Sequence, residues 1–221
     1  EDGTFPAVQT GRDVTGTLTV TYGETSCTLP VTVGSSQPFD DTKGHWAESY
    51  ITELYYAGTL QGSEKNGKLY YRPDASMTRQ EFIVAMMRYL GTDLSAYASV
   101  QLPFDDSGSI ASWAKSAMQA AYQLGYLTGS KTNGKLLAKP GSTISRQEAM
   151  TILSRTKDFA DADLNVLSAF SDSGKIADWA RTALAQMTQQ KIISGSKGKL
   201  NPTGKVTRAE VAKMLYMLSE T

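Results

Sequence analysis

Two short runs near the start of the chain alternate between apolar and polar positions. Residues 15–22 place Leu18, Val20 and Tyr22 on one face, and residues 26–33 group Cys27, Leu29, Val31 and Val33. A period of two is the mark of half-buried strands, and Gly23, Glu24 and Thr25 between the runs suit a hairpin turn. An isolated hairpin is marginal in water, so these strands are expected to belong to a sheet continued elsewhere or to pack on the helical segment after them. Gly34, Ser35, Ser36, Gln37 and Pro38 then read as a linker. Beyond it the period becomes helical. Trp46, Tyr50, Ile51 and Leu54 form one apolar stripe that ends at Gly58, a residue suited to a left-handed cap, and Gly125 recurs in the same role. A second apolar helix over 82–90 closes at Gly91, with counterparts over 149–155 and 211–218.

Aligning these helices exposes an internal repeat. Phe39-Asp40-Asp41, Phe104-Asp105-Asp106 and Phe170-Ser171-Asp172 open three units, 65 and 66 residues apart. Trp46-Ala47, Trp113-Ala114 and Trp179-Ala180 follow, and 16 residues after each Trp stands Gly62, Gly129 or Gly195. Each of these glycines precedes a serine: Ser63, Ser130 or Ser196. A Gly-Lys-Leu comes next, then Pro73, Pro140 or Pro202, and 6 residues later Arg79, Arg146 or Arg208. A two-helix unit cannot bury its stripes alone, so the three are expected to pack together.

The segments Thr78-Arg79-Gln80-Glu81, Ser145-Arg146-Gln147-Glu148 and Thr207-Arg208-Ala209-Glu210 each precede an apolar helix. A hydroxyl followed three residues later by Glu is a capping box, which accounts for those two residues. The arginine is left without a capping role. A cation in the first helical turn opposes the helix dipole by about 0.3–1 kcal/mol, so its recurrence implies a use. One use is capture of a carboxylate or phosphate beside free backbone N–H groups. The other is pairing with an acidic neighbour such as Asp41, Asp106 or Asp172.

The remaining shared residues carry two readings each. Helical spacing beside Ala places a Trp in the core, whereas an exposed Trp offers a stacking surface for a sugar ring. The Gly-Ser pairs permit close backbone approach and supply a hydroxyl, or simply make a tight turn. The opening Asp caps the first helix or binds sugar hydroxyls.

Composition narrows the chemistry. Lys plus Arg and Asp plus Glu both number 22 among 221 residues, giving a formal net charge of zero. That leaves no global basic field for nucleic acid or an anionic membrane, so anion binding rests on local arrangement. One cysteine, Cys27, and one histidine, His45, preclude disulfide frameworks, Cys/His metal clusters and a triplicated His relay. No apolar run reaches the length of a membrane span. The chain opens on Glu1-Asp2-Gly3 with no signal peptide, which suggests a piece of a longer protein.

Taken together, the opening Phe-x-Asp, the Trp-Ala helix, the Leu-x-x-Gly turn, the Pro and the Thr-Arg-Ala-Glu motif resemble surface-layer homology (SLH) domains. The resemblance covers residues 38–221 as repeats at 38–98, 99–164 and 165–221. The third copy carries the motif unaltered at 207–210, but has Lys191 where Gly58 and Gly125 stand and a loop to Pro202 that is four residues shorter. Residues 1–37 look like the last strands of a bacterial immunoglobulin-like domain. The resemblance implies a mainly α fold, a pseudo-threefold helical bundle with prongs, preceded by a short β-hairpin. It implies attachment to the bacterial cell wall through inter-repeat grooves that bind an anionic secondary cell-wall polysaccharide, typically with a pyruvylated N-acetylmannosamine unit. On that reading Arg79, Arg146 and Arg208 hold the ketal carboxylate, and Asp41, Asp106 and Asp172 contact hydroxyls. Trp46, Trp113 and Trp179 form an apolar wall, and Gly62, Gly129, Gly195, Ser63 and Ser130 line the groove. The expected location is extracellular, at the cell wall, with parent-protein domains N-terminal to this piece, no membrane insertion, no nucleic-acid partner and no cofactor. Catalysis is disfavoured, since each motif Glu is committed to capping. A protein–protein scaffold within a surface layer is the alternative.

Overall fold

The computed structural model describes residues 14–23, 25–33 and 37–220; Glu24 of the expected turn and residues 34–36 of the expected linker lie outside the described residues. The chain divides into two compact units, Glu1–Pro73 and Asp74–Thr221.

In the first unit the alternating runs form an antiparallel pair, β1 (Val14–Tyr22) and β2 (Thr25–Val33). Leu18 faces Leu29 and Val20 faces Cys27, the register that puts the apolar positions on one face. Helix α1 (Glu48–Tyr56) follows. Its buried stripe is Ala47, Ile51 and Leu54, packed in a core with Phe39 and Tyr71, while Trp46 stands outside it. The Phe39 ring lies 4.9 Å from that of Tyr55 and 5.3 Å from that of Tyr71. A small hairpin, β3 (Ser63–Lys65) and β4 (Lys68–Tyr70), completes the unit.

The second unit holds α2 (Arg79–Tyr89), α3 (Lys115–Gln123), the hairpin β5 (Ser130–Thr132) and β6 (Lys135–Leu137), α4 (Arg146–Ser154), α5 (Asp178–Gln189) and α6 (Arg208–Ser219). The capping-box helices α2, α4 and α6 are related by an approximate threefold arrangement, which two closed rings of backbone hydrogen bonds define. In the first, Met77 N–H donates to Val206, Val206 N–H to Ile144 and Ile144 N–H to Met77, at 3.1, 3.0 and 3.0 Å. In the second, Arg79 N–H donates to Ser142, Arg146 N–H to Gly204 and Arg208 N–H to Ala75, each at 2.9 Å. Side chains of Met77, Ile144 and Val206 are buried at the centre. The mainly α bundle with small hairpins is the expected fold class.

Three details were legible only in part. The shared Gly-Lys-Leu is the exit of a two-residue hairpin turn: Asn66-Gly67 and Asn133-Gly134 both have positive φ, at 53° and 71° and at 51° and 77°. Asn-Gly between short strands is the sequence signal for such a turn. The shorter third loop keeps only that turn, Lys197-Gly198, closed by a pair of hydrogen bonds between Ser196 and Lys199. Gln80 and Gln147, the motif's departures from Ala, accept hydrogen bonds from the N–H groups of Ala111 and Ala177, at 3.1 and 3.0 Å, at the entry to the next unit's first helix.

The altered cap in the third copy keeps its conformation. Gly58 and Gly125 close their helices at φ 76° and 77°, and Lys191 does so at φ 58°. A residue with a Cβ in that region is disfavoured by about 1 kcal/mol. Lys191→Gly is therefore expected to raise stability by up to about 1 kcal/mol, read as a higher urea midpoint with unchanged slope.

Candidate functional site

Each motif arginine finds an acidic partner, and it is the capping Glu of the next copy. Arg79 pairs with Glu148, Arg146 Nη1 lies 2.7 Å from Glu210 Oε1, and Arg208 Nη1 lies 3.9 Å from Glu81 Oε1. The other oxygen of each Glu serves its own cap: Oε2 of Glu81, Glu148 and Glu210 accepts from the N–H of Thr78, Ser145 and Thr207 at 2.8, 2.8 and 2.9 Å. One carboxylate thus caps a helix and ties two copies together. Arg146 adds a bond from Nε to the Leu200 carbonyl at 2.9 Å, whereas the corresponding Nε of Arg79 is buried with no partner.

The backbone amides beside Arg79 are equally engaged. At α2 the N–H groups of Arg79, Gln80 and Glu81 donate to Ser142 O, Pro140 O and Thr78 Oγ1. The helix start is therefore filled by the neighbouring loop instead of standing open to an anion. The opening aspartates are structural clamps. Asp41 accepts from the N–H groups of Tyr71 and Arg72, Asp106 from Ala138 and Lys139, and Asp172 from Leu200 and Asn201, all between 2.7 and 2.9 Å. In every copy the second of those donors sits at positive φ, so the carboxylate holds a left-handed turn in place.

The glycines answer to a close approach. A Cβ on Gly129 would stand 2.6 Å from the Phe104 ring and one on Gly195 2.7 Å from the Phe170 ring, and both residues have positive φ. The opening Phe and the Gly of the Gly-Ser pair are thus two halves of one contact.

The tryptophans are not core residues. Trp46, Trp113 and Trp179 are 56%, 57% and 57% exposed, while the adjoining Ala47, Ala114 and Ala180 are fully buried. In each copy the alanine of the pair is the buried residue and the indole is exposed. Within the second unit, Trp179 lines a groove of about 300 Å³ together with Arg79, Gly129, Ser130, Glu148 and Arg155. Buried Leu127, Ala138 and Ile152 form its floor, and exposed Thr128, Ser130 and Trp179 its rim. One groove so combines an arginine of the first copy, a Gly-Ser of the second and a tryptophan of the third.

Of the residues singled out from sequence, Arg79, Gly129, Ser130 and Trp179 meet in this groove. Asp106 and Asp172 are not among its lining residues. Arg146 and Arg208 occupy the ring positions equivalent to Arg79, and Trp113 is exposed on the second copy. Asp41, Trp46, Gly62 and Ser63 belong to the first unit. Sequence reasoning missed Arg155 and gave Glu148 a capping role alone. A signal existed for the former: Arg88 and Arg155 both stand 9 residues after the motif arginine.

The S-layer homology domain model matches residues 38–83, 103–150 and 169–212, more than half of the chain. The chain belongs to the S-layer homology domain family. SLH domains are modules that anchor proteins at the bacterial cell wall, and the chain carries three in tandem. Similar proteins include an amylopullulanase of Thermoanaerobacterium thermosulfurigenes, 28% identical over 91% of this chain and 10% of that one. An endoglucanase of Bacillus sp. (strain KSM-635) is 30% identical over 82% and 18%, and a surface-layer 125 kDa protein of Lysinibacillus sphaericus 32% over 82% and 15%. The chain spans less than a fifth of these relatives. Among the described residues no helix is long and apolar enough to cross a membrane.

Two of the carboxylates, Asp172 of a clamp and Glu148 of the ring, are held ionised. Burial alone would raise the Asp172 carboxyl, but the N–H groups of Leu200 and Asn201 and the charge of Lys175 outweigh it and hold the group below its ordinary range. Burial likewise opposes ionisation of Glu148, and Ser145 with Arg79 overcomes it. A carboxyl whose pKa is lower folded than unfolded stabilises the fold fully above its unfolded pKa, about 4. That contribution is lost as pH falls through this value towards the folded one. Denaturant midpoints are therefore expected to fall steeply between about pH 5 and pH 3. Asp172→Asn should be less stable at neutral pH and lose less over the same interval.

Proposed function

We propose that the three SLH repeats form a non-catalytic wall anchor that binds an anionic secondary cell-wall polysaccharide, with a pyruvylated N-acetylmannosamine unit seated in the inter-repeat groove. The observation that carries this reading is the groove itself: an exposed indole beside a Gly-Ser turn over an apolar floor, with a guanidinium in the wall. A pyranose ring stacks its C–H face on such an indole, and its hydroxyls and carboxylate find Ser130, Thr128 and arginine donors. Arg79, Arg146 and Arg208 are proposed to line the anionic end, each tied to the capping Glu of the next copy. Asp41, Asp106 and Asp172 act through the turns they clamp, since both oxygens of each already accept backbone hydrogen bonds.

The boundaries at 38–98, 99–164 and 165–221 give each copy one Trp, one Gly-Ser turn and one capping-box helix. Residues 1–37 are read as the end of a preceding domain, in line with the small share of each relative that the match covers. The anchored partner is then the rest of the parent protein, of the kind the relatives' names describe: a polysaccharide hydrolase or a surface-layer protein.

The test is sedimentation with purified cell walls before and after acid removal of the pyruvyl ketal. Native walls are expected to carry the protein down and treated walls to leave it in solution. Equal binding to both would favour a scaffold that recognises another wall component. Arginine-to-alanine variants do not separate binding from folding here, because Arg79 and Arg146 tie copies together. Trp113→Ala with Trp179→Ala is the cleaner pair: both side chains are more than half exposed. It is expected to change stability by less than about 0.5 kcal/mol per site while reducing wall binding at least about tenfold.

A further inference from the structure

Three charged residues line the groove of the second unit: Arg79, Glu148 and Arg155. Arg79 and Glu148 form an ion pair, so their charges cancel, and the Arg79 side chain is only 12% exposed with its Nε sealed from solvent. Arg155 is different. It follows the last turn of α4, is exposed, and has no acidic partner among the described residues. Its Nη1 donates to Tyr126 O at 2.8 Å and to Thr128 Oγ1 at 3.4 Å, which fixes the guanidinium against the loop leading into Gly129 and Ser130. Among the described residues its Nε and Nη2 have no partner, and they form one edge of the planar fork that suits a carboxylate.

We propose that Arg155 is the specificity-determining cation of this groove, supplying the net positive charge that captures the carboxylate of the wall saccharide while Arg79 serves mainly to hold Glu148. The inference rests on the anionic-glycan reading above. Cation placement at a helix C-terminus is also favourable to the helix dipole, and that role alone would be met by the Nη1 contacts. Partial burial lowers the pKa of the guanidinium, yet an arginine remains protonated at any working pH. The copies are unequal at this position: Arg88 in the first, Arg155 in the second and Met217 in the third. The fold therefore accommodates methionine there, which supplies the test substitution.

The experiment uses a background with Trp46→Phe and Trp113→Phe, so that fluorescence of Trp179 reports this groove alone. Pyruvyl-ketal N-acetylmannosamine is titrated as the charged probe and N-acetylmannosamine as the neutral one, at low and high salt. Arg155→Met is expected to lose about tenfold or more in affinity for the charged probe and to flatten its salt dependence. Affinity for the neutral probe should be unchanged, and Arg155→Lys should recover part of the loss. If Arg155→Met binds the charged probe as tightly as the parent, while the parent prefers it over the neutral one, the proposal is overturned and the glycan reading survives. Equal losses for both probes with a lowered melting temperature would show a loop tether only and also overturn it. A parent protein that binds neither probe would instead sink the glycan reading itself.

Discussion

Ring closure is the constraint on which the rest of the structure depends. Met77, Ile144 and Val206 each donate one backbone hydrogen bond and accept one, and the cycle closes only because three near-identical segments meet at one axis. Such a ring costs little beyond the ordering of three loops, yet it satisfies buried amide and carbonyl groups that would otherwise each carry a desolvation penalty of about 1–3 kcal/mol. The second ring, from the arginine N–H groups to Ser142, Gly204 and Ala75, fills the starts of α2, α4 and α6 from neighbouring loops. No single copy can supply its own partner. Stability is thus a property of the triplet.

That closure explains the chemistry of the repeated motif. A capping Glu ordinarily uses one oxygen and leaves the other to water. Here the spare oxygen of Glu81, Glu148 or Glu210 faces an arginine from another copy, and the arginine's unfavourable place in the first helical turn is offset by that pairing. The same geometry draws residues of three copies into one groove, because an arginine tied to the next copy's Glu is carried towards that copy's Gly-Ser turn. The proposed binding groove and the structural ring share Arg79 and Glu148, so an arginine deletion reports on both.

How much was legible depends on the range over which each signal acts. The helices, the caps and the repeat period are written in local spacing, and they appear in the structure within a few residues. The Asn-Gly turns were equally local. Trp46, Trp113 and Trp179 were ambiguous because residue size and helical phase cannot tell which of two adjacent residues meets a close-packed neighbour; alanine took the buried place. The clamps of Asp106 on Ala138 and Lys139 span 32 and 33 residues, and the arginine–glutamate ties more than 60. Pairings at that range depend on how the copies close, which no local pattern carries. Arg155 has a counterpart in Arg88 at constant spacing, but both lie outside the capping motif that marks each copy.

Repetition within one chain therefore carries two meanings that the structure separates. Residues needed for ring closure recur in all three copies: the cap hydroxyl, the arginine, the glutamate and the apolar residue before the cap. A change in any of these would unseat two copies at once, so their recurrence is accounted for before a ligand is considered. Positions outside the rings are free to diverge, and they do. Lys191 replaces a capping glycine, the third hairpin shrinks to its turn, and Met217 stands where Arg88 and Arg155 stand. On the proposed glycan reading, selectivity is set at such a peripheral position, Arg155, without disturbing closure. If more than one copy engages the same polymer, each engagement raises the effective concentration for the next.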